Sequence, residues 1–165
     1  MLVGLIADTH DNLPMVERAV ENLSGKNVDL VLHAGDYVAP FVIPEFKKLN
    51  TKLIGVFGNN DGDRELLKKR FNESEDLEIH GNFAEIFVDN LKIALLHGSE
   101  EELLEALINS NSFDVIVYGH THEAEIKRKG KTLIVNPGEV CGYLSGKSTM
   151  AIFDTSLGKA EIIKL

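Results

Sequence analysis

Five short apolar runs in this sequence end in side chains able to bind a cation. Asp8 and His10 follow "LVGLIA", Asp36 follows "LVLHAG", Asn59 follows "LIGVFG", His97 follows "KIALL", and His120 and His122 follow "VIVYG". Four of the six histidines lie at such ends. Imidazole, carboxylate and amide oxygen together suit first-row divalent ions such as Mn, Fe, Co, Ni or Zn, and the lack of clustered thiolates argues against a structural zinc site. Seven candidate donors are more than one ion needs. Two ions about 3.5 to 4 Å apart, sharing a bridging carboxylate, would engage them all, in the manner of two-metal hydrolysis. Gly35, Gly58, Gly98 and Gly119 stand beside these residues, where they allow sharp turns and close backbone approach.

Such donors need a scaffold that gathers strand ends. The first half alternates strand and helix patterns: strands in "LVGLIA", "DLVLHAG" and "KLIGVFG", helices in "NLPMVERAVENL", "PFVIPEFKKL" and "DRELLKKRF". That alternation predicts a parallel sheet with covering helices. In the second half "FAEIFVD" and "LKIALLHG" flank Asn90 as a hairpin, and a helix in "SEEELLEALINS" is expected to open on Ser99 as N-cap, with Glu102 three residues on. "FDVIVYGHTH", "EAEIKRKG", "TLIVNPG", "STMAIFDT" and "KAEIIKL" then read as strands that pair antiparallel. The expected class is α/β, a four-layer α-β-β-α sandwich of two packed mixed sheets flanked by helices, in one domain over residues 1–165. Ligands of open α/β sheets bind beyond the carboxyl ends of the strands, so the five ends are expected to converge.

Composition limits what such a site serves. With 44% hydrophobic and 26% charged residues, the chain has the balance of a soluble globular protein. No apolar stretch reaches the roughly 18 residues of a membrane span. "MLVGLIADTH" meets Asp8 and His10 before a signal-peptide core could develop, which together with the single cysteine, Cys141, predicts a cytoplasmic protein without disulfides. A formal net charge of -9 disfavours stable nucleic-acid binding, which needs clustered Lys and Arg. An anionic substrate would need a local cation, and two divalent ions set against two aspartates would leave a positive site inside an acidic chain.

The elements "DTH", "GD", "GNND", "HG" and "GHTH", in that order, with "NPG" at Asn136 to Gly138, resemble the calcineurin-like metallophosphoesterase family, and in particular its small bacterial and archaeal phosphodiesterase branch. The resemblance covers most of the chain. It implies that Asp8, His10 and His122 hold one metal, that Asn59, His97 and His120 hold the second, and that Asp36 bridges them. Asp36, Asn59 and His97 are assigned catalytic roles as well, and Asn60, Asp61 and Asn12 supporting roles toward the ligands or the substrate. It further implies two divalent ions, Mn first with Ni, Co, Fe and Zn as alternatives, a small phosphodiester as substrate, and in-line attack by a water or hydroxide activated between the ions. Two other readings share the fold: a phosphomonoesterase with the same metals, and a protein-binding scaffold like a subunit of the retromer coat, which has little need of a full donor set. One position departs from the family pattern. Many members carry a histidine after the metal-binding asparagine, where it is held to protonate the leaving group, and this chain has Asn60, whose amide is no acid near neutral pH. A preference for good leaving groups such as aryl phosphates is expected.

The remaining polar residues read more plainly. His33 is expected inside a strand, His80 in a surface turn, and Cys141 as a small buried thiol rather than a nucleophile. Asp61 either braces a ligand or caps the helix "DRELLKKRF". Lys127, Arg128, Lys129 and Lys131 form a solvated hairpin rim around Gly130. The apolar "STMAIFD" is a candidate free edge for pairing between chains, which makes a homo-oligomer compatible with the sequence.

Overall fold

Side chains alternate across a strand, and here the alternation sorts residues between three apolar clusters that define four layers. The computed structural model describes residues 1–165. Strands β1 (Leu2–Ile6), β2 (Leu30–His33), β3 (Lys52–Gly55) and β4 (Leu77–Ile79) pair parallel, and β10 (Thr149–Asp154) and β11 (Lys159–Lys164) extend the sheet antiparallel in the order β11-β10-β1-β2-β3-β4. The second sheet has the order β5-β6-β7-β9-β8, from β5 (Phe83–Val88), β6 (Leu91–Leu96), β7 (Val115–Val117), β8 (Glu125–Lys129) and β9 (Thr132–Asn136).

Val3, Leu5, Leu30, Leu32 and Ile54 of the first sheet meet Ile93, Leu95, Val115, Val117, Leu133 and Val135 of the second in the central cluster. The intervening Val31 and Leu53 face outward onto helices α1 (Leu13–Gly25), α2 (Ile43–Phe46) and α3 (Arg64–Phe71), against Val16, Val20, Leu23, Phe46, Leu67 and Phe71. Ala94, Leu96, Ile116 and Ile134 face the other way, toward Leu104, Leu107 and Ile108 of α4 (Glu101–Asn109). The result is the α-β-β-α sandwich of two mixed sheets that the sequence predicts. No helix is long and apolar enough to cross a membrane.

Several local expectations are corrected. The segment "PFVIPEFKKL" forms only a 3-10 turn, Pro40–Val42, and the four-residue α2, because Pro44 has no N–H to carry a helix on from Pro40. Helix α4 is not capped by Ser99: Glu100 holds the N-cap position without a side-chain cap bond, and Glu101 and Glu102 complement the positive helix end instead. Asp63, not Asp61, caps α3, accepting from Leu66 N at 2.9 Å. The second half is not wholly antiparallel, since β7 pairs parallel with both β6 and β9. The helix α4 between β6 and β7 makes that crossover available. The segment "STMAIFD" is no free edge, because β10 lies between β1 and β11. The hairpin at Asn90 is present, with positive φ at both Asp89 (48°) and Asn90 (64°), the conformation of a two-residue turn that follows strand twist.

Candidate metal centre

The carboxyl ends of β1, β2, β3, β6 and β7 all open at one end of the sandwich, and the seven candidate donors leave them in loops rather than continuing as strands. Five of the seven adopt positive φ: Asp8 (52°), His10 (39°), Asp36 (62°), His120 (68°) and His122 (61°). The left-handed region costs an L-residue about 1 to 2 kcal/mol, and such conformations persist where the surroundings over-determine them. Here the loops are knotted together: Thr9 N and His10 N both donate to Asp36 O at 3.1 Å, and Gly119 N donates to His97 O at 2.9 Å. Two glycines allow the closest approaches. A Cβ at Gly58 would lie 2.1 Å from Asp36 Oδ1, and one at Gly119 would lie 2.7 Å from Asp8 Oδ2, so the second sheet's loop rests directly on the first sheet's carboxylate.

The donors meet in overlapping groups. Asp36 Oδ2 is 3.3 Å from His10 Nε2 and 3.3 Å from His97 Nε2. Asp8 Oδ1 is 3.5 Å from His122 Nε2 and 3.8 Å from His10 Nε2. Asn59 Oδ1 lies 2.9 Å from His97 Nε2. His120 joins through its backbone N–H, which donates to Asp8 Oδ2 at 3.0 Å, and its ring stands edge-on to His97 with centroids 5.1 Å apart.

The protonation pattern decides what this set is fit to hold. Ala34 O, 2.8 Å from His97 Nδ1, can only accept, so Nδ1 carries the proton and Nε2 presents its lone pair toward Asn59 and Asp36. Glu139, 2.6 Å from His122 Nδ1, fixes His122 in the same way, and its Nε2 points at Asp8. Asp8 Oδ1 and His10 Nε2 are buried without any hydrogen-bond partner. Lone pairs converging on lone pairs in a buried site call for positive charge between them, and the donor set of carboxylates, imidazoles and one amide oxygen fits divalent cations. The carboxylates make the potential here negative and favourable to positive charge: Asp36 first and then Asp8 hold His10 up at about 9. Burial works to raise the Asp36 carboxyl, yet the neighbouring His10 and His97 outweigh it and keep the group well below the usual carboxylate range. His120, with burial and then His97 against it, is lowered.

Residues 1–158 match the calcineurin-like phosphoesterase superfamily domain. The chain belongs to that superfamily. This metallophosphoesterase is 43% identical over 155 residues to a phosphodiesterase of Methanocaldococcus jannaschii, covering 94% of this chain and 93% of the relative. It is 27% identical over 155 residues to phosphodiesterase YfcE of Escherichia coli, covering 85% and 79%. The solved structure of an archaeal phosphodiesterase superposes with a TM-score of 0.96 at 41% identity over the full length of both chains. Vps29 of Entamoeba histolytica, solved with zinc, superposes with a TM-score of 0.73 at 21% identity over 100% and 98% of the two chains, and so shares the fold.

Around the candidate donors, the supporting residues divide by what they touch. Asn60 donates from its backbone N to Asp36 Oδ1 at 2.8 Å and from Nδ2 to Asp36 Oδ2 at 2.7 Å, so it orients that carboxylate. Asp61 touches no imidazole. It accepts from the backbone N–H groups of Asp36, Val38 and Gly58 at 3.2, 2.8 and 2.7 Å, which ties the β2 and β3 loops together, and burial raises its carboxyl. Asn12 donates to Cys141 O at 2.8 Å, bracing the loop after β9 against the loop after β1. His33 is a buried strand residue, its Nδ1 accepting from Gly35 N at 3.0 Å, and its burial takes it down to about 3. His80 is half-buried just past β4, within 2.8 Å of Glu78. Cys141 is buried with its thiol 2.9 Å from Glu139, and burial first, then Glu139, pushes it up to about 12, the opposite of an activated nucleophile. Lys127, Arg128 and Lys129 lie on the exposed β8 and Lys131 in the turn that precedes β9, the expected hairpin rim.

Glu139 itself was invisible to the sequence reading. Although its burial acts to raise it, contacts from Cys141, His122 and Ser145 hold it at about 2. The only sequence signal was an acidic residue embedded in "NPGEVCGY", directly after the last recognised motif.

Proposed function

We propose that this chain is a phosphodiesterase that hydrolyses small phosphodiesters with two divalent cations, manganese first, with nickel, cobalt, iron and zinc as alternatives. Asp8, His10 and His122 would hold one ion, Asn59, His97 and His120 the other, with Asp36 between them. The observation that carries this reading is the position of Asp36 Oδ2, 3.3 Å from an imidazole of each group. Two such ions, when bound, polarise phosphate oxygens and lower the pKa of water so that a nucleophile forms near neutral pH. The chain's own residues do the rest by position. Asn60 fixes the Asp36 carboxylate, Ala34 O fixes His97, and Glu139 fixes His122, so that little rearrangement is needed as charge develops on the phosphate.

Two open clefts adjoin the donors. One of about 150 Å³ lies beside Asn59 and His97, and one of about 580 Å³ runs from His120 and Thr121 toward Lys127 and Lys129. Their size and mixed polarity support a small diester. Asn60 supplies no proton, so the leaving group departs best when it is a stable anion, as an aryl oxide is. The single Cys141 and the absence of disulfides are in keeping with a cytoplasmic location for this one-domain enzyme.

The test is hydrolysis of bis-p-nitrophenyl phosphate and p-nitrophenyl phosphate side by side, with metal-stripped protein titrated with Mn, Ni, Zn and Mg and His120→Ala as control. Diester cleavage restored by Mn or Ni and lost in the variant supports the proposal. Faster monoester cleavage would move the substrate class to monoesters. Turnover no higher than the variant with every metal would end the enzyme reading.

A further inference from the structure

The most heavily bonded polar group in the molecule is the carboxylate of Glu139, whose side chain is fully buried. It accepts from His122 Nδ1 at 2.6 Å, Cys141 Sγ at 2.9 Å, Tyr143 N at 3.0 Å, Leu144 N at 3.0 Å, Ser145 N at 2.6 Å and Ser145 Oγ at 2.7 Å. A carboxylate offers about four lone-pair directions, so these donors saturate it. All but the first come from one loop, residues 141–145, which carries the exposed Tyr143 and Leu144. The same loop is tied to the other side of the centre: Val140 N donates to Ala7 O and Cys141 N to Asp8 O, each at 3.0 Å. Asn12 adds the bond to Cys141 O. Glu139 therefore stands between the β9–β10 loop and two donors of one proposed ion, His122 directly and Asp8 through the loop backbone.

We infer that Glu139 is a positioning residue that holds His122 with its proton on Nδ1 and its Nε2 lone pair toward Asp8, and that latches the 141–145 loop with the same carboxylate. This rests on the two-ion reading of the centre. Its consequence is coupling: a change that weakens the latch weakens one ion and loosens the loop together. An acceptor that is fixed from six sides has no freedom to follow a misplaced ring, so His122 is set by the loop rather than by its own rotamer preference.

Glu139→Gln tests the inference, because it keeps the shape of the side chain while turning an NH2 group against N–H donors. Metal-stripped wild type and variant are titrated with Mn by calorimetry, alongside thermal melting and hydrogen exchange at Tyr143, Leu144 and Ser145. The expected result is a 10- to 100-fold loss of affinity at one of two Mn sites, the scale typical of removing a partner behind a ligand histidine, with faster exchange at the three amides. A lower melting temperature with both affinities unchanged in the folded variant would overturn the inference. Should the variant not fold, ring nitrogen NMR of zinc-loaded wild type decides: a His122 proton on Nδ1 upholds the assignment, and a proton on Nε2 overturns it. Wild type that binds no metal would remove the two-ion reading and this inference with it. Wild type that binds two ions, with the variant binding them equally well, would remove this inference alone.

Discussion

The two sheets contribute to the centre in different ways. The loops after β1, β2 and β3 bring the oxygens, Asp8, Asp36 and Asn59, and one imidazole, His10, on a sheet whose outer face is sealed by α1, α2 and α3, with Val16, Leu23, Phe46 and Leu67 fully buried between. The loops after β6 and β7 bring His97, His120 and His122, on a sheet whose outer helix α4 buries no residue completely enough to count as core. Asp36 is held by two bonds from Asn60, and Asp8 by one from the His120 backbone. Two imidazoles depend on one acceptor each, Ala34 O for His97 and Glu139 for His122. The oxygen side is thus a fixed frame, and the imidazole side is set into it by individual hydrogen bonds. Damage to Asp36 should reach both proposed ions, and damage to one ring should reach one.

The largest effect is therefore expected from Asp36→Asn, which removes the charge shared by both groups: kcat for a nitrophenyl diester should fall by roughly 10³-fold or more at any metal concentration. A residual rate within tenfold of wild type would break the contrast between the two sides. Gly58→Ala probes the frame without touching a donor. Its methyl would sit on Asp36 Oδ1, and a displacement near 1 Å costs about 10²-fold in rate, so a variant with normal activity would show that the carboxylate is not so tightly set. His120→Ala should lose one ion while keeping the other, so that calorimetry counts one Mn site where wild type has two, whereas Asp36→Asn should weaken both. Asn60→His brings an acid to this position while giving up the Nδ2 bond to Asp36, so it is read as a ratio: alkyl diesters should gain on nitrophenyl diesters by up to about 10²-fold, and an unchanged ratio would count against the leaving-group argument.

The smallest expected effect is on stability, and it lies on the frame side. His33 has a folded pKa of about 3 against an ordinary 6.5, lowered first by burial and then by His97. Above pH 6.5 both folded and unfolded chains are neutral there, and nothing is lost. As pH falls from 6.5 toward 3 the unfolded chain takes up a proton that the folded one refuses, so stability declines by at most about 1.4 kcal/mol per pH unit from this residue. Urea midpoints of wild type and His33→Gln at pH 7.5 and 5 should show the flatter pH response in the variant; parallel responses would mean that other groups dominate acid sensitivity.

Much of the frame was legible in the chain because alternation decides faces. Val31 between Leu30 and Leu32, or Leu95 between Ala94 and Leu96, assigns each residue to a layer without knowledge of its partners. The seven candidate donors could be picked out for a related reason, since each lies just past a strand-like run, and the structure gathers those strand ends at one end of the sandwich. What could not be read arises from contacts distant in sequence or from very short elements. β4 has three residues, too few to show a period. The parallel pairing of β7 depends on a crossover, and the role of Glu139 depends on a loop folding back on it from residues 141–145. Asp61 and Asp63 are equally plausible caps by type, and only the register of α3 separates them.

The central claim, that one centre holds two ions with Asp36 between them, is tested most directly by electron paramagnetic resonance of metal-stripped protein titrated with Mn(II). Two ions about 3.5 to 4 Å apart across a carboxylate interact magnetically. The account predicts the spectrum of a spin-coupled pair at two equivalents in wild type, and only isolated Mn(II) in Asp36→Asn. Isolated Mn(II) alone in the wild type at two equivalents, or saturation at one, would contradict it.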